Sequence, residues 1–301
     1  MLVVQNFIPN QVISGTNQTL YQVTFCCGEN IVIASYNTRV ANQFSSHAGL
    51  KPHQKAFPQF IEESEEFYEV MGLLQGEMSK TNYGKIAFTN TCASLNNKVL
   101  AWFESSFRTK RNWWKWYVVI NLPEYELELS EQIAFELVEH WMTQCDVRFE
   151  NSYPKPVHFR KNSTLRVPKN DGALVIEKRN PLFAQTLMNL VQYVHKTILE
   201  QPEKNVIAYM KGIIAAESCI NYKLETGHRR VFITATDEAE RQTYRRCLEK
   251  LGVGVNDCKS IKDLVISRKK NLLRLHELGL MTLHPKKHKK FTDMLASYQR
   301  A

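Results

Sequence analysis

The sequence predicts an α+β protein built from two copies of one αββαββα unit behind an N-terminal extension. Two observations lead there: a nine-residue segment occurs twice, and the chain after each copy reads as strands alternating with helices. Residues 70–78 (VMGLLQGEM) lie over residues 210–218 (MKGIIAAES) without a gap. Gly72 pairs with Gly212, Leu73 with Ile213, Leu74 with Ile214, Gly76 with Ala216 and Glu77 with Glu217. The offset of 140 residues is too long for a solenoid repeat and fits a duplicated domain whose first copy carries an insertion.

Taken in order, residues 1–63 read as several short strands and a polar loop, AGLKPHQKAFPQF, with no readable role. The first copy spans 64–200. EESEEFYEVMGLLQGEM has acids at its start and apolar residues at helical spacing, so it is read as a helix. SKTNYGKIAFTNT offers one strand, CASLNNKVLAWFESSF a helix, NWWKWYVVINL a strand and SEQIAFELVEHWMTQC another helix. Residues 146–177, with PKPVHFRKNSTLRVPKNDG, read as a basic hairpin or loop before the helix PLFAQTLMNLVQYVHKTI. The aromatics of NWWKWY, interleaved with Lys110, Arg111 and Lys115, would suit base stacking. Alternate side chains of a strand face inward, however, so at least half of them are assigned to the core.

The second copy spans 204–301. EKNVIAYMKGIIAAES is a helix, and CINYKLETGHRRVFITAT is a hairpin about a Glu-Thr-Gly-His turn. Ile220, Tyr222 and Leu224 are expected to face inward, with Asn221, Lys223, Glu225, Arg230 and Thr234 outward and Arg229 near the turn. A helix capped by Asp237 and stopped by Gly252 follows, then a second hairpin from VGVNDC and IKDLVIS, then two closing helices.

Glycine inside a helix costs about 1 kcal/mol relative to alanine, so its recurrence at one place in both copies needs a cause. Small residues four apart share a helix face and let a second helix come closer than the usual 8–10 Å or so. If the two copies pack through these faces, Glu77 and Glu217 end side by side at the negative ends of their helices, where a hard cation would keep both ionised.

The charge is uneven as well. Residues 204–301 hold 20 Lys and Arg against 10 Asp and Glu, whereas the first 203 residues nearly balance, and the whole chain carries +9. Such asymmetry points to a nucleic-acid partner. No apolar run reaches the roughly 18 residues of a membrane span, and MLVVQNFIPN lacks the features of a signal peptide, so a soluble, cytoplasmic protein with no membrane partner is expected. The seven cysteines form no CxxC pair and are expected to be buried reduced thiols. A small-molecule enzyme finds no support, for there is no Walker loop, no GxGxxG and no HExxH. His140, His158 and His195 are scattered and read as structural.

The octets VMGLLQGE and MKGIIAAE, each ending where strand sequence begins, resemble the namesake motif of the LAGLIDADG homing endonucleases. The resemblance implies two pseudo-twofold-related domains in one monomeric chain, with saddle-shaped antiparallel sheets lying in the major groove of double-stranded DNA. It implies a sequence-specific endonuclease in which Glu77 and Glu217 hold Mg²⁺ or Mn²⁺ and reach across the minor groove, one acid serving each strand. LLRLHELGLMTLHPKKHKKF is similar to the family's closing segment. Lys287, or the adjacent Lys286, then stands where the family has a lysine that stabilises charge or orders the attacking water. The first copy has no counterpart; Lys80 and Lys85 are near Glu77 but elsewhere in the pattern. Asn221, Lys223, Arg229, Arg230, Lys259 and Lys262 are the candidates for base or phosphate contact. The alternative function is a non-cleaving nucleic-acid binder, such as a maturase acting on intron RNA or a DNA-binding regulator.

Overall fold

A computed structural model describes all of the chain except residues 15–18, 41–48, 80–83, 123–129, 162–171, 226, 236, 259–261 and 299–301. Short strands come first: β1 (Leu2–Val3), β2 (Gln11–Ser14), β3 (Thr19–Gln22), β4 (Thr24–Cys27), β5 (Ile31–Val40), β6 (Gly49–Pro58) and β7 (Phe60–Ile61). Helix α1 (Glu65–Glu77) carries the first octet, and β8 (Lys85–Asn90), α2 (Ala93–Phe107), β9 (Lys115–Leu122), α3 (Ser130–Cys145), β10 (Ser152–Lys161), β11 (Ala173–Arg179) and α4 (Pro181–Thr197) follow. The second octet ends α5 (Glu203–Glu217), and β12 (Ser218–Lys223), β13 (His228–Thr234), α6 (Glu238–Lys250), β14 (Asn256–Cys258), β15 (Asp263–Ile266), α7 (Lys269–Glu277) and α8 (Pro285–Ala296) complete the chain.

These elements form two compact units, one of residues 1–63 and 78–190, the other of residues 64–77 and 191–301. Helix α1 thus belongs with the second half of the chain.

The first unit holds a four-stranded sheet in the order β10-β9-β11-β8. Residues 146–177 do not form a hairpin, because β9 lies between β10 and β11, antiparallel to β11 and parallel to β10. Local sequence gives no warning of this, since β11 reaches its place between β8 and β9 only by long-range pairing. Trp114 and Trp116 are buried at 2% and 1% exposure, whereas Trp113 and Tyr117 are half-buried, so two of the four aromatics of NWWKWY are core. The N-terminal strands share that core: Phe57 of β6 packs on Phe107 and Phe183, with ring centroids 6.5 and 6.3 Å away.

One polar network is built into this sheet. Glu177, 2% exposed, accepts from Lys85 Nζ at 2.7 Å and from the Tyr153 hydroxyl. Burial opposes its charge, but the Lys85 and Tyr153 hydrogen bonds prevail and hold the carboxyl below its ordinary range. Burial and the carboxylate together push the Tyr153 hydroxyl up to about 12. Lys85→Met leaves a buried carboxylate with one neutral donor, and the expected loss is about 2–3 kcal/mol in urea unfolding. An unchanged midpoint would show that the pair contributes nothing net.

From α5 onward the second unit has the αββαββα order with a further helix, and its sheet, β12-β13-β15-β14, is antiparallel throughout. Ile220, Val231, Ile233, Leu264 and Ile266 line its buried face. Leu224, expected inside, is 59% exposed: β12 ends at Lys223, and Leu224 lies in the turn, where its carbonyl accepts from the Gly227 N–H. Asp237 caps α6 by accepting from the Glu240 N–H at 3.1 Å, and Gly252 ends it at φ +75°. The cysteines are free among the described residues, but Cys26, Cys27 and Cys219 are exposed, and only Cys145 and Cys247 are fully buried. No helix of the described chain is long and apolar enough to cross a membrane.

Candidate functional site

The site begins with two glycines. A Cβ on Gly72 would fall 2.2 Å from the Tyr209 carbonyl oxygen and 3.0 Å from Gly212 Cα; one on Gly212 would fall 2.1 Å from the Glu69 carbonyl oxygen and 2.7 Å from the Leu73 nitrogen. Helices α1 and α5 therefore cross backbone against backbone at this pair, closer than any side chain permits. One turn on, a Cβ at Gly76 would stand 2.6 Å from Ala216 Cβ and 3.2 Å from both Cγ and Oε1 of Glu217. The Glu217 carboxylate thus lies against the last turn of α1, at Gly76, the residue before Glu77. Both acids are half-buried last residues of their helices.

Two such acids suit one class of cation. Among the described residues no three His, Cys, Asp or Glu converge, which is unlike the closed donor sets of zinc. Mg²⁺ and Mn²⁺ are different, since Mg²⁺ is commonly held by one or two carboxylates and takes its other ligands from water and substrate phosphate. The donor set on α1 and α5 fits that pattern.

The second unit also brings Lys287 to this place. Its Nζ donates to the carbonyls of Ile214, Ala215 and Ala216 at 3.4, 2.7 and 3.1 Å, covering the open C-terminal end of the helix that carries Glu217. Lys286, the neighbouring candidate, is exposed. Pro285 starts α8, and His284 caps it, with Nδ1 accepting from the Lys287 N–H at 3.5 Å. That bond needs a neutral ring. Burial, then the Lys287 charge, lower the His284 pKa to about 4.

A depressed histidine makes stability depend on pH. Between its unfolded value of 6.5 and about 4, the unfolded chain binds a proton that the folded chain refuses, so stability is full above pH 6.5 and falls as pH drops through that window. The expected contribution is about 2–3 kcal/mol. His284→Asn keeps a capping side chain and removes the titration, so the difference between the two proteins in pH-dependent thermal melts isolates the effect. Parallel profiles would refute it.

Around Glu217 lies a network that the sequence did not advertise. Gln75, 5% exposed, occupies the variable position of the first octet, and its Nε2 donates to Glu240 Oε1 at 2.8 Å. The buried Tyr244 beside them is held far above the ordinary tyrosine range by burial, then by Glu240 and Glu217. A polar residue at an otherwise apolar buried position was the available signal. His195, read from the sequence as structural, has its Nδ1 2.9 Å from the buried Tyr209 hydroxyl.

The candidate nucleic-acid contacts separate by sheet face. Asn221 stands opposite Arg230, and Lys223 opposite His228, on the face of β12 and β13 away from the core. Lys223 and Arg230 are exposed and Asn221 is half-buried. Arg229 stands opposite Tyr222 on the other face. Its Nε donates to Ser297 Oγ at 2.8 Å and its guanidinium lies 4.7 Å from the Tyr298 ring, so it ties the hairpin to the end of α8. Strand alternation is the reason: Arg229 and Arg230 cannot share a face. Lys262 is exposed on the turn before β15, at φ 55°, and Lys259 lies outside the described residues. His228, absent from the sequence-based candidates, belongs to the outward set.

No family model and no curated protein matches the chain. Solved structures similar to it include the N-terminal LAGLIDADG domain of DUF199/WhiA, at 10% identity and a TM-score of 0.38, covering 73% of this chain and 84% of that one. Full-length DUF199/WhiA from Thermatoga maritima is 11% identical with a TM-score of 0.42, over 79% of this chain and 62% of that one. The homing endonuclease I-DmoI, solved in complex with DNA and Ca, is 16% identical with a TM-score of 0.36, over 76% of this chain and 98% of that one.

Proposed function

We propose that the chain is a LAGLIDADG-type protein that binds double-stranded DNA and hydrolyses its phosphodiester bonds with a divalent cation. The observation that carries this reading is the Gly72–Gly212 crossing, which sets Glu217 against Gly76 in the last turn of α1. Bound there, Mg²⁺ would stabilise charge developing on the scissile phosphate and lower the pKa of a water ligand. Glu77 and Glu217 would hold the ion. Lys287 holds the carbonyl end of α5 and so fixes the height of Glu217, and its positive charge remains near the scissile group. Asn221, Lys223, His228 and Arg230 present donors to base edges and phosphates, and Lys262 adds charge at the rim.

A second reading is a binder that does not cut, acting on DNA or on intron RNA. It draws on Lys287, whose ammonium is directed at three backbone carbonyls. Incubating the protein with a randomised duplex library in Mg²⁺ and, separately, in Ca²⁺, then sequencing the bound and cut pools, decides between them. The nuclease yields cut duplexes only in Mg²⁺; retention without scission favours the regulator, and retention of RNA alone the maturase.

A further inference from the structure

The first unit contains a group of lysines that its own acids do not neutralise. Lys55 of β6 places Nζ 4.5 Å from the centroid of the Trp113 ring and 5.3 Å from that of Phe183, and Lys178 of β11 places Nζ 4.5 Å from the same indole. Trp113 lies in the turn just before β9, and Lys115 opens that strand. Burial, then the charge of Lys178, lowers the pKa of Lys55; burial, then the charge of Lys115, lowers that of Lys178. No carboxylate pairs with any of the three among the described residues. The nearest acid in sequence, Glu177, is committed to Lys85 and Tyr153.

Like charges gathered in a partly desolvated place destabilise the fold unless an anion joins them. The indole offsets only part of this, since a cation–π contact is worth less than an ion pair with a multivalent anion. We propose that Lys55 and Lys178, both set on the Trp113 ring, form a binding site for a phosphoryl oxyanion. Two ammonium point charges suit a group that carries more than one negative charge over several oxygens. The phosphoryl group comes either from a nucleic-acid backbone or from a free polyphosphate. The residues of this site are not those of the proposed cation site, and it does not depend on their role.

Isothermal titration of the full chain at about 50 and 200 mM salt, with tripolyphosphate and with a short duplex, tests this. The Lys55→Met/Lys178→Met variant is expected to bind one of the two at least about tenfold more weakly. If the loss falls on the duplex, with the salt slope shallower by about two, the ligand is the nucleic-acid backbone. If it falls on tripolyphosphate alone, the ligand is a free polyphosphate. A folded double variant that binds both as the parent does overturns the proposal. Should that variant not fold, Lys178→Gln alone replaces it: about threefold weaker binding supports the site, and unchanged affinity overturns it.

Discussion

Gly72→Ala and Gly212→Ala are each expected to destabilise the second unit by about 3 kcal/mol or more, at the upper end of what overpacking costs. The added methyl would meet a backbone carbonyl at 2.2 Å in one case and 2.1 Å in the other, and a carbonyl within a helix cannot rotate aside as a flexible side chain could. Relief requires α1 and α5 to move apart. That movement carries Glu217 away from the last turn of α1, so under the proposed function divalent-ion affinity is expected to fall along with stability. Gly28→Ala is the control, because its Cβ would meet Ile31 Cγ1 at an ordinary 3.4 Å; it is expected to change stability by less than about 0.5 kcal/mol. Urea unfolding reads all three, and equal midpoints for Gly72→Ala and Gly28→Ala would contradict the close crossing.

The second large effect concerns the acids. Glu77→Gln and Glu217→Gln keep size and shape but halve the charge offered to a cation, and each is expected to lower Mg²⁺-dependent strand scission by about 10³-fold or more while duplex binding persists. If each acid serves one strand, the single variants leave different strands nicked, which denaturing gels resolve. Cleavage at the parental rate by both variants would remove these glutamates from the chemistry.

How far the sequence foretold this arrangement depended on the range of the interaction. The octets were legible because a backbone contact leaves no freedom of choice: Gly72 and Gly212 are the only kind of residue that fits, and their spacing to Glu77 and Glu217 is kept by the helix. The second unit was legible for a related reason, since its hairpins and the Asp237 and Gly252 helix signals are local. The first unit was less so. That β11 enters between β8 and β9, with β10 parallel at the far edge, follows from pairings across dozens of residues. The same limit hid the Lys85–Glu177–Tyr153 network and the gathering of Lys55 and Lys178 on Trp113, whose members are distant in sequence. Arg229 was grouped with the outward contacts because it lies near the hairpin turn, whereas its alternation with Arg230 puts it on the other face, bonded to Ser297. Lys287 was picked out through the closing segment, yet nothing local predicted that its ammonium would cover the carbonyl end of α5.

Anomalous scattering from crystals grown with Mn²⁺ and a bound duplex measures the central claim directly. A single peak within about 2.5 Å of a carboxylate oxygen from both Glu77 and Glu217 is the predicted result. Carboxylates turned apart, with no peak between them or with Mn²⁺ held elsewhere in the chain, would contradict it.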